Sequence, residues 1–373
     1  MRHRQHTALI AAILIGTFSC LAPARAEDTQ IDHAGLARAA LEKHIRPAYH
    51  RLAESFAAVE TAAKADCSAP SPQNLEAFRG RFADAVRAWG GIAHIGFGPV
   101  RDENRYERIW FWPDRKGIGR RQVANTLRQK PADYTKAETL AAKSIGVQGL
   151  GALEDVLYGD HAAALSAPGE ETPFLCAYAT AIGGNLKIIA EQTDAAWREG
   201  GAFAHDWLNP GKDNPAFLGG PETTFALLKA YSDGIEHARD VELARPLGVA
   251  EGRRVLPGPF ADSKLTMVYI AARIAALRSL YLDSGMADEM ARLAKAKANV
   301  LAEDALKQVL FELELAETRS SKLAKIPDLL GASTKKQEAV VLGYALRNAR
   351  LLVNQAAGLL TNLPVGFNAS DGD

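Results

Sequence analysis

The sequence predicts an all-α protein built from two up-and-down helical bundles. Apolar residues recur at three- and four-residue spacing along most of the chain, and no period-two alternation of useful length interrupts them. Aliphatic residues and Ala are abundant, whereas Phe, Trp and Tyr make up only 7%. A Gly-, Asn- and Pro-rich stretch at residues 201–220 separates four groups of helices from four more. We therefore expect bundles over residues 27–200 and 221–373, joined by a linker at 201–220.

The N-terminal 26 residues have the pattern of a secretory signal peptide. Arg2 and Arg4 precede an apolar run, and Ala24-Arg25-Ala26 forms a small-x-small cleavage site. The apolar run is too short to span a bilayer, so we expect export and cleavage after Ala26. Cys20 would permit a lipid-anchored form, but Thr17 stands where a lipoprotein signal usually has Leu.

Charge excludes nucleic acid as an expected partner. The formal net charge is zero, and the first 26 residues contribute three Arg and no acid, so the mature chain carries −3. After the signal, no run is apolar enough to predict a membrane span.

The first bundle is predicted from helix-start and helix-stop residues. Residues 31–65 read as one amphipathic helix that Pro47 kinks or divides. Ser71 caps the next helix, which Gly90-Gly91 ends, and Thr172-Pro173 has the same cap-plus-proline pattern. Further helices are expected at about 120–129, 134–144, 149–158 and 172–200.

Residues 92–119 are the least regular part of this bundle. They combine several Gly with bulky aromatics and with charges that include Arg101, Glu103 and Arg105. Charges among aromatics are costly to bury unless they pair. The stretch therefore either closes the end of a bundle, with its charges paired to each other, or lines a site.

The second bundle is predicted to contain helices at about 222–242, 264–282, 287–318 and 335–363, with an irregular crossover after the first. Asp233, His237 and Asp240 share one helix face by spacing. That face either holds part of a metal site or is solvated and carries ion pairs.

Two cysteines, Cys67 and Cys176, remain after cleavage of the signal. In an up-and-down bundle the helix that ends near Cys67 and the helix that begins near Cys176 have these ends at the same pole. An exported protein meets an oxidising compartment, so we predict a Cys67–Cys176 disulfide.

The helix from Val147 to Tyr158 carries the most informative carboxylate. Its leucines form an apolar stripe, and Glu154 lies on a neighbouring line at the edge of that stripe. Glu154 is either a boundary residue that reaches solvent or an Arg, or part of a functional site. No H-E-x-x-H, C-x-x-C, G-x-S-x-G or P-loop motif occurs, so the sharp zinc, hydrolase and nucleotide signatures are absent.

Three stretches of the sequence carry a family resemblance. They are Trp89 with Gly98-Pro99 and Phe111–Asp114, then Leu243–Gly248 followed by Phe260–Leu265, and finally Gly366–Asp373. Together they resemble the imelysin family of exported bacterial proteins. The resemblance implies two helical bundles that face each other, a location in the periplasm or at the cell envelope, and an association with iron uptake.

The signature of that family is G-x-H-x-x-E. It aligns here with Gly149 and Glu154, while Gly151 stands at the histidine position. The chain therefore resembles the His-lacking, predicted-lipoprotein-like branch. Without the imidazole, Glu154 has lost its expected partner for metal binding or proton transfer, which weakens a peptidase assignment.

Three hypotheses follow. The first is a non-enzymatic envelope protein with a ligand or metal site between the bundles, formed by Glu154, Gly149, Gly151, Arg101, Glu103, Arg105, Asp262 and Ser263. The cofactor is undetermined on this hypothesis, with iron or another divalent or trivalent metal as the candidate and Glu154 as the metal ligand. The second is a metallopeptidase. The third is a scaffold that binds an envelope protein, such as a component of iron uptake.

Overall fold

The computed structural model describes residues 29–249, 255–326, 333–361 and 363, and every regular element within these ranges is helical. Two helical bundles face each other. The predicted signal peptide with Cys20, and the C-terminal stretch Gly366–Asp373, lie outside the described residues.

The first bundle is organised around one long pair of helices. Helix α2 (Arg46–Ser68) packs along α8 (Thr172–Trp197), while α3 (Pro72–Gly90) packs on α2, and α7 (Gly149–Tyr158) packs on α8. Large aromatic side chains such as Phe56, Phe82 and Tyr178 are fully buried between them. Its helices are α1 (His33–Ala40), α2 (Arg46–Ser68), α3 (Pro72–Gly90), α4 (Arg105–Ile109), α5 (Ile118–Gln129), α6 (Ala137–Leu140), α7 (Gly149–Tyr158) and α8 (Thr172–Trp197).

The second bundle begins after a short helix, α9 (Ala202–Leu208), in the predicted linker. Trp207 of α9 is fully buried, and its indole Nε1 donates to the Ala37 carbonyl at 2.8 Å, so this part of the linker is packed. In the second bundle α14 (Val300–Leu323) lies between α12 (Thr266–Asp283) and α15 (Ser333–Leu360). Its helices are α10 (Gly220–Glu236), α11 (Ala244–Leu247), α12 (Thr266–Asp283), α13 (Met286–Ala296), α14 (Val300–Leu323) and α15 (Ser333–Leu360).

Two wide π-helical turns lie within stretches that the sequence predicts as helical. One, Leu41–Ile45, joins α1 to α2 directly before Pro47, which lies in the first turn of α2. The other, His237–Leu243, follows α10. The predicted interruption at Pro47 is therefore present, and it takes the form of an inserted residue rather than a break.

Some predicted helix boundaries are wrong. Thr172 does not cap α8, because its hydroxyl donates instead to the Ala164 and Ala167 carbonyls at 2.8 and 3.0 Å. The helix predicted over 287–318 is broken, because Ala298 has φ +49° and Asn299 caps a new helix by accepting from the Ala302 N–H. Ser71 does cap α3, accepting from the Asn74 N–H at 3.2 Å.

Cys67, near the end of α2, is bonded to Cys176, near the start of α8, with 5.3 Å between their Cα atoms. This is the pairing predicted from the up-and-down arrangement. It closes a loop between positions 109 residues apart.

The bundles meet where α3 crosses α12. A Cβ on Gly90 would lie 2.8 Å from the Tyr269 carbonyl oxygen, so only glycine permits this approach of the two backbones. Within the described residues, Thr172–Leu208 is long and apolar enough to resemble a membrane span, with mean hydropathy 1.2. A core helix of a bundle can have the same length and composition, and 67% of that window is buried inside the protein.

Candidate functional site

Helix α7 is placed by its first residue and by its leucines. Gly149 has φ +79°, and a Cβ there would lie 2.3 Å from the Arg108 carbonyl oxygen and 2.5 Å from that of Ile109. Only glycine fits this start. Leu150, Leu153 and Leu157 are fully buried, which fixes the rotation of α7 and holds Glu154 at the contact with the second bundle.

Glu154 bonds to the second bundle through Ser263. The Ser263 backbone N–H and hydroxyl both donate to Glu154 Oε1, at 2.9 and 2.6 Å. Burial raises the pKa of the Glu154 carboxyl to about 7, although both bonds from Ser263 act to lower it. The side chain is therefore present in its neutral and its charged form near neutral pH.

Further acidic groups surround this contact. The Arg120 guanidinium donates to Asp262 and lies 3.8 Å from the Asp155 carboxylate. Burial raises the pKa of Asp155 to about 6, with Arg120 opposing the change. Three carboxyl groups thus share one guanidinium, which leaves a surplus of negative charge when all three are ionised.

Asp155 and Arg120 are absent from the predicted site. Asp155 directly follows Glu154 and lies four residues after Gly151, so helix geometry was a usable signal for it. Arg120 belongs to α5, and no local pattern connects it to α7.

Gly151 leaves space on this helix. Among the described residues, no atom outside its own helix would lie within 4 Å of a Cβ built on it. The position is not strained, and crowding at the Cβ does not require glycine there. The absence of the family's histidine is therefore not forced by immediate packing.

Arg101, Glu103 and Arg105 are not joined to Glu154 in the described structure. Arg101 donates to Glu107 at 3.0 Å, and Arg105 lies 3.8 Å from Glu103 and donates to the Pro99 carbonyl. These charges pair locally, which is the alternative that the sequence left open for residues 92–119.

The same loop reaches the second bundle through its aromatic residues. The Trp110 ring stacks between Trp112, at 5.0 Å, and Phe260, at 4.7 Å. Phe260 begins the short segment that ends in Asp262 and Ser263, and its carbonyl accepts from the Ser263 hydroxyl at 3.2 Å. The loop therefore supports the partner of Glu154 by stacking rather than by charge.

The acidic residues of α10 and of the π-helical turn that follows it form ion pairs. Asp233 pairs with Lys229 at 2.6 Å and Asp240 with Arg239 at 2.5 Å, while His237 stacks on Trp112. Over the described ranges, the three-donor group with convergent metal-ligating atoms is Asp66, Cys67 and Cys176. Its two sulfurs form the disulfide, so they are not available as thiolate ligands.

Comparisons with known proteins agree with this architecture. The family profile described as Imelysin matches residues 45–350. The structure of an imelysin-like protein from Psychrobacter arcticum 273-4 superposes with a TM-score of 0.72 at 20% identity, covering 92% of this chain and 99% of that one.

A protein named iron-regulated protein A precursor, from Parabacteroides distasonis ATCC 8503, superposes with a TM-score of 0.69 at 10% identity, covering 88% and 95%. No curated protein matches the sequence significantly. At these identities the two structures establish the shared fold, and the family profile spans most of the chain. The chain therefore belongs to the imelysin family.

Proposed function

We propose that this protein is exported to the periplasm, where it takes part in iron acquisition by binding a ligand or metal between its bundles without catalysis. Support comes from the signal-peptide pattern before Glu27 and from membership of the imelysin family. A structural relative is named as iron-regulated, which supports the link to iron.

The observation that carries this proposal is the buried Glu154 carboxyl, held between the bundles by Ser263 at 2.6 Å. Carboxylate oxygens are hard ligands that suit Fe³⁺, and Asp155 and Asp262 lie close by. Arg120 now supplies their positive counter-charge. A bound cation would take over that role as the guanidinium, which is 66% exposed, moves towards solvent.

Binding is favoured over peptidase activity by one feature of α7. Gly151 offers no imidazole beside Glu154, so the pair of groups that could hold a metal and transfer a proton in a metallopeptidase is incomplete at this position. If the purified protein degraded casein and Glu154→Gln abolished this, the metallopeptidase alternative would replace the proposal.

Calorimetry tests the site directly. We expect at least one of ferric, ferrous, zinc and haem ligands to bind the mature protein, and Glu154→Gln and Asp262→Asn each to weaken that binding about tenfold or more. Glu170→Gln, an exposed glutamate in the loop before α8, is the matched control and should bind as the wild type does. Absence of binding for all four ligands, or equal loss in the control, would contradict the proposal.

Export and metal content are tested on protein purified from its own periplasm. We expect the mature chain to begin at Glu27, and elemental analysis with native mass spectrometry to report the bound species. A chain that keeps residues 1–26, or that is recovered only with the cytoplasmic fraction, would contradict export. Co-purification of an envelope iron-uptake protein without any small ligand would favour the scaffold alternative.

A further inference from the structure

A cavity of about 480 Å³ lies between the bundles on the side of α10, apart from the Glu154–Ser263 contact. The turn after α3 and helices α10 and α12 enclose it. Its walls are apolar and aromatic, with Phe97, Phe217 and Phe225 among them, and its polar lining includes His94, His237 and Arg273. The volume is that of a small-molecule site.

His94 connects this cavity to the opposite surface through a chain of hydrogen bonds. His94 Nε2 lies 2.8 Å from His44 Nε2, and His44 Nδ1 lies 3.1 Å from the Ser279 hydroxyl. Ser279 in turn donates to the Asp283 carboxylate at 2.6 Å. Asp283 is exposed, whereas His94 is only 5% exposed.

This series of hydrogen bonds determines which nitrogen of the His44 ring and of the His94 ring carries the proton. The Asp283 carboxylate can only accept a hydrogen bond, so the Ser279 hydroxyl donates its hydrogen to it. The Ser279 oxygen then accepts from His44 Nδ1–H. His44 is neutral, since burial lowers its pKa to about 4, and its Nε2 is therefore an acceptor. His94 must donate through Nε2–H.

The remaining nitrogen of His94 is then a free acceptor. Burial, with further contributions from His44 and Arg273, lowers the pKa of His94 well below its ordinary value, so Nδ1 carries a lone pair. Within the described part of the chain, that buried atom has no hydrogen-bond partner. A buried acceptor left unsatisfied is costly. His94 lines the cavity, but Nδ1 itself has less than 1 Å² of accessible surface, so a ligand in the cavity would donate to it after a small shift of the lining.

Charge restricts the class of ligand. Arg273 lines the same cavity, and its field opposes a bare cation. That charge is in turn balanced by Glu242, 3.1 Å away and fully buried, so the inner end offers no net attraction to an anion. The lining also includes Lys229 and Asp233, which pair with each other at 2.6 Å, and Glu222, which accepts from the Leu218 N–H at 2.6 Å. A neutral molecule fits these paired charges, and aromatic walls favour a flat apolar body.

We propose that this cavity binds a small neutral aromatic molecule that donates an O–H or N–H hydrogen bond to His94 Nδ1. The site is separate from the Glu154–Ser263 contact, so its test is independent of the metal-binding tests at Glu154. Its distinguishing property is a preference for a donor-bearing ring over an apolar ring of the same size.

Phenol and toluene provide that comparison, because they differ only in a hydroxyl replacing a methyl group. NMR titration of the mature protein should show both bound at the cavity. Replacing His94 by Leu should reduce the preference for phenol over toluene by about 2- to 10-fold, the range expected for one neutral hydrogen bond. His205→Leu, at an exposed histidine, should leave the preference unchanged.

A second measurement requires no substitution. Histidine ¹⁵N spectra of the wild type should show His94 protonated at Nε2 and not at Nδ1, and phenol should shift the Nδ1 resonance. A proton on Nδ1 in the free protein would overturn the proposal. So would failure of phenol to bind, or an unchanged phenol-to-toluene ratio in a folded His94→Leu variant.

Discussion

At the scale of single residues, Glu154 combines structural and chemical roles. It ties α7 to Ser263 across the bundle contact, and burial raises the pKa of its carboxyl to about 7, so its neutral and charged forms coexist near neutral pH. A nearby cation favours the charged form of such a carboxyl, and removal of water favours its neutral form. The balance between the two forms should therefore make the free energy of unfolding depend on pH.

We expect Glu154 to make the protein less stable as pH rises. Its pKa is raised from 4.5 to about 7 on folding, so its contribution is complete below about pH 4.5 and is lost as pH rises through 7. The loss amounts to about 3 kcal/mol in the free energy of unfolding. The Glu154→Gln variant should not show this loss when its free energy of unfolding is measured by urea unfolding at pH 4.5 and at pH 8. Parallel pH curves for the two proteins would contradict this.

Alanine substitutions at three glycines distinguish the cost of a strained backbone from the cost of a steric clash at Cβ. Gly149 and Gly200 both have positive φ, but only Gly149 faces carbonyl oxygens. Gly200→Ala should cost about 1–2 kcal/mol and Gly149→Ala clearly more, since it adds a clash to the same strain. Gly151→Ala, in open space on a helix, should stabilise by about 0.5–1 kcal/mol. Thermal unfolding ranks the three, and any other order would contradict the geometry.

At the scale of helices, periodicity and capping residues predicted most of what is observed. The Pro47 interruption, the Ser71 cap and the helix that carries Glu154 follow from local sequence. The failed cap at Thr172 and the π-helical turn His237–Leu243 do not, because tertiary contacts decide them. A hydroxyl has one hydrogen, and the sequence does not tell which carbonyl will receive it.

The disulfide between α2 and α8 should be the largest local contribution to stability. Replacing Cys67 and Cys176 together by Ser should lower the free energy of unfolding by about 2–5 kcal/mol, because the bond closes a 109-residue loop in the unfolded chain. Chemical reduction of the wild type should give the same change. Two free thiols in the exported protein, detected by mass spectrometry, would show that the bond does not form.

At the scale of the whole molecule, the two bundles share one continuous core, and α3 and α12 meet at Gly90. We expect Gly90→Ala to destabilise the protein by about 1–3 kcal/mol, since the methyl group would meet the Tyr269 carbonyl. Gly80→Ala, in the same helix with no neighbouring atom described within 4 Å, is the control and should be neutral or stabilising. Denaturant unfolding compares the stability of the two variants. Equal changes in the free energy of unfolding would contradict a close contact between the bundles at Gly90.

The candidate site shows where sequence reasoning ends. Glu154 stood out because a lone carboxylate bordered an apolar stripe, and Ser263 and Asp262 entered through the family resemblance. Arg120 was missed because its partners, Asp155 on α7 and Asp262 in the turn before α12, lie far from it in the sequence. Arg101, Glu103 and Arg105 were expected at the site because charged groups are costly to bury, and they satisfy that requirement by pairing with neighbours in sequence.

The π-helical turn Leu41–Ile45 rotates the buried face of α1 relative to that of α2. One additional residue advances the helix by about 100° without changing its axis, so the two segments present different faces along one line. Through that offset α1 contacts α10, with His33 Nδ1 2.7 Å from the Thr224 hydroxyl, while α2 serves the first bundle. Deleting the exposed Glu42 should give a regular helix whose α1 faces the wrong way. Circular dichroism would then show helix content retained while near-ultraviolet signals of the buried aromatics between α1, α9 and α10 are lost.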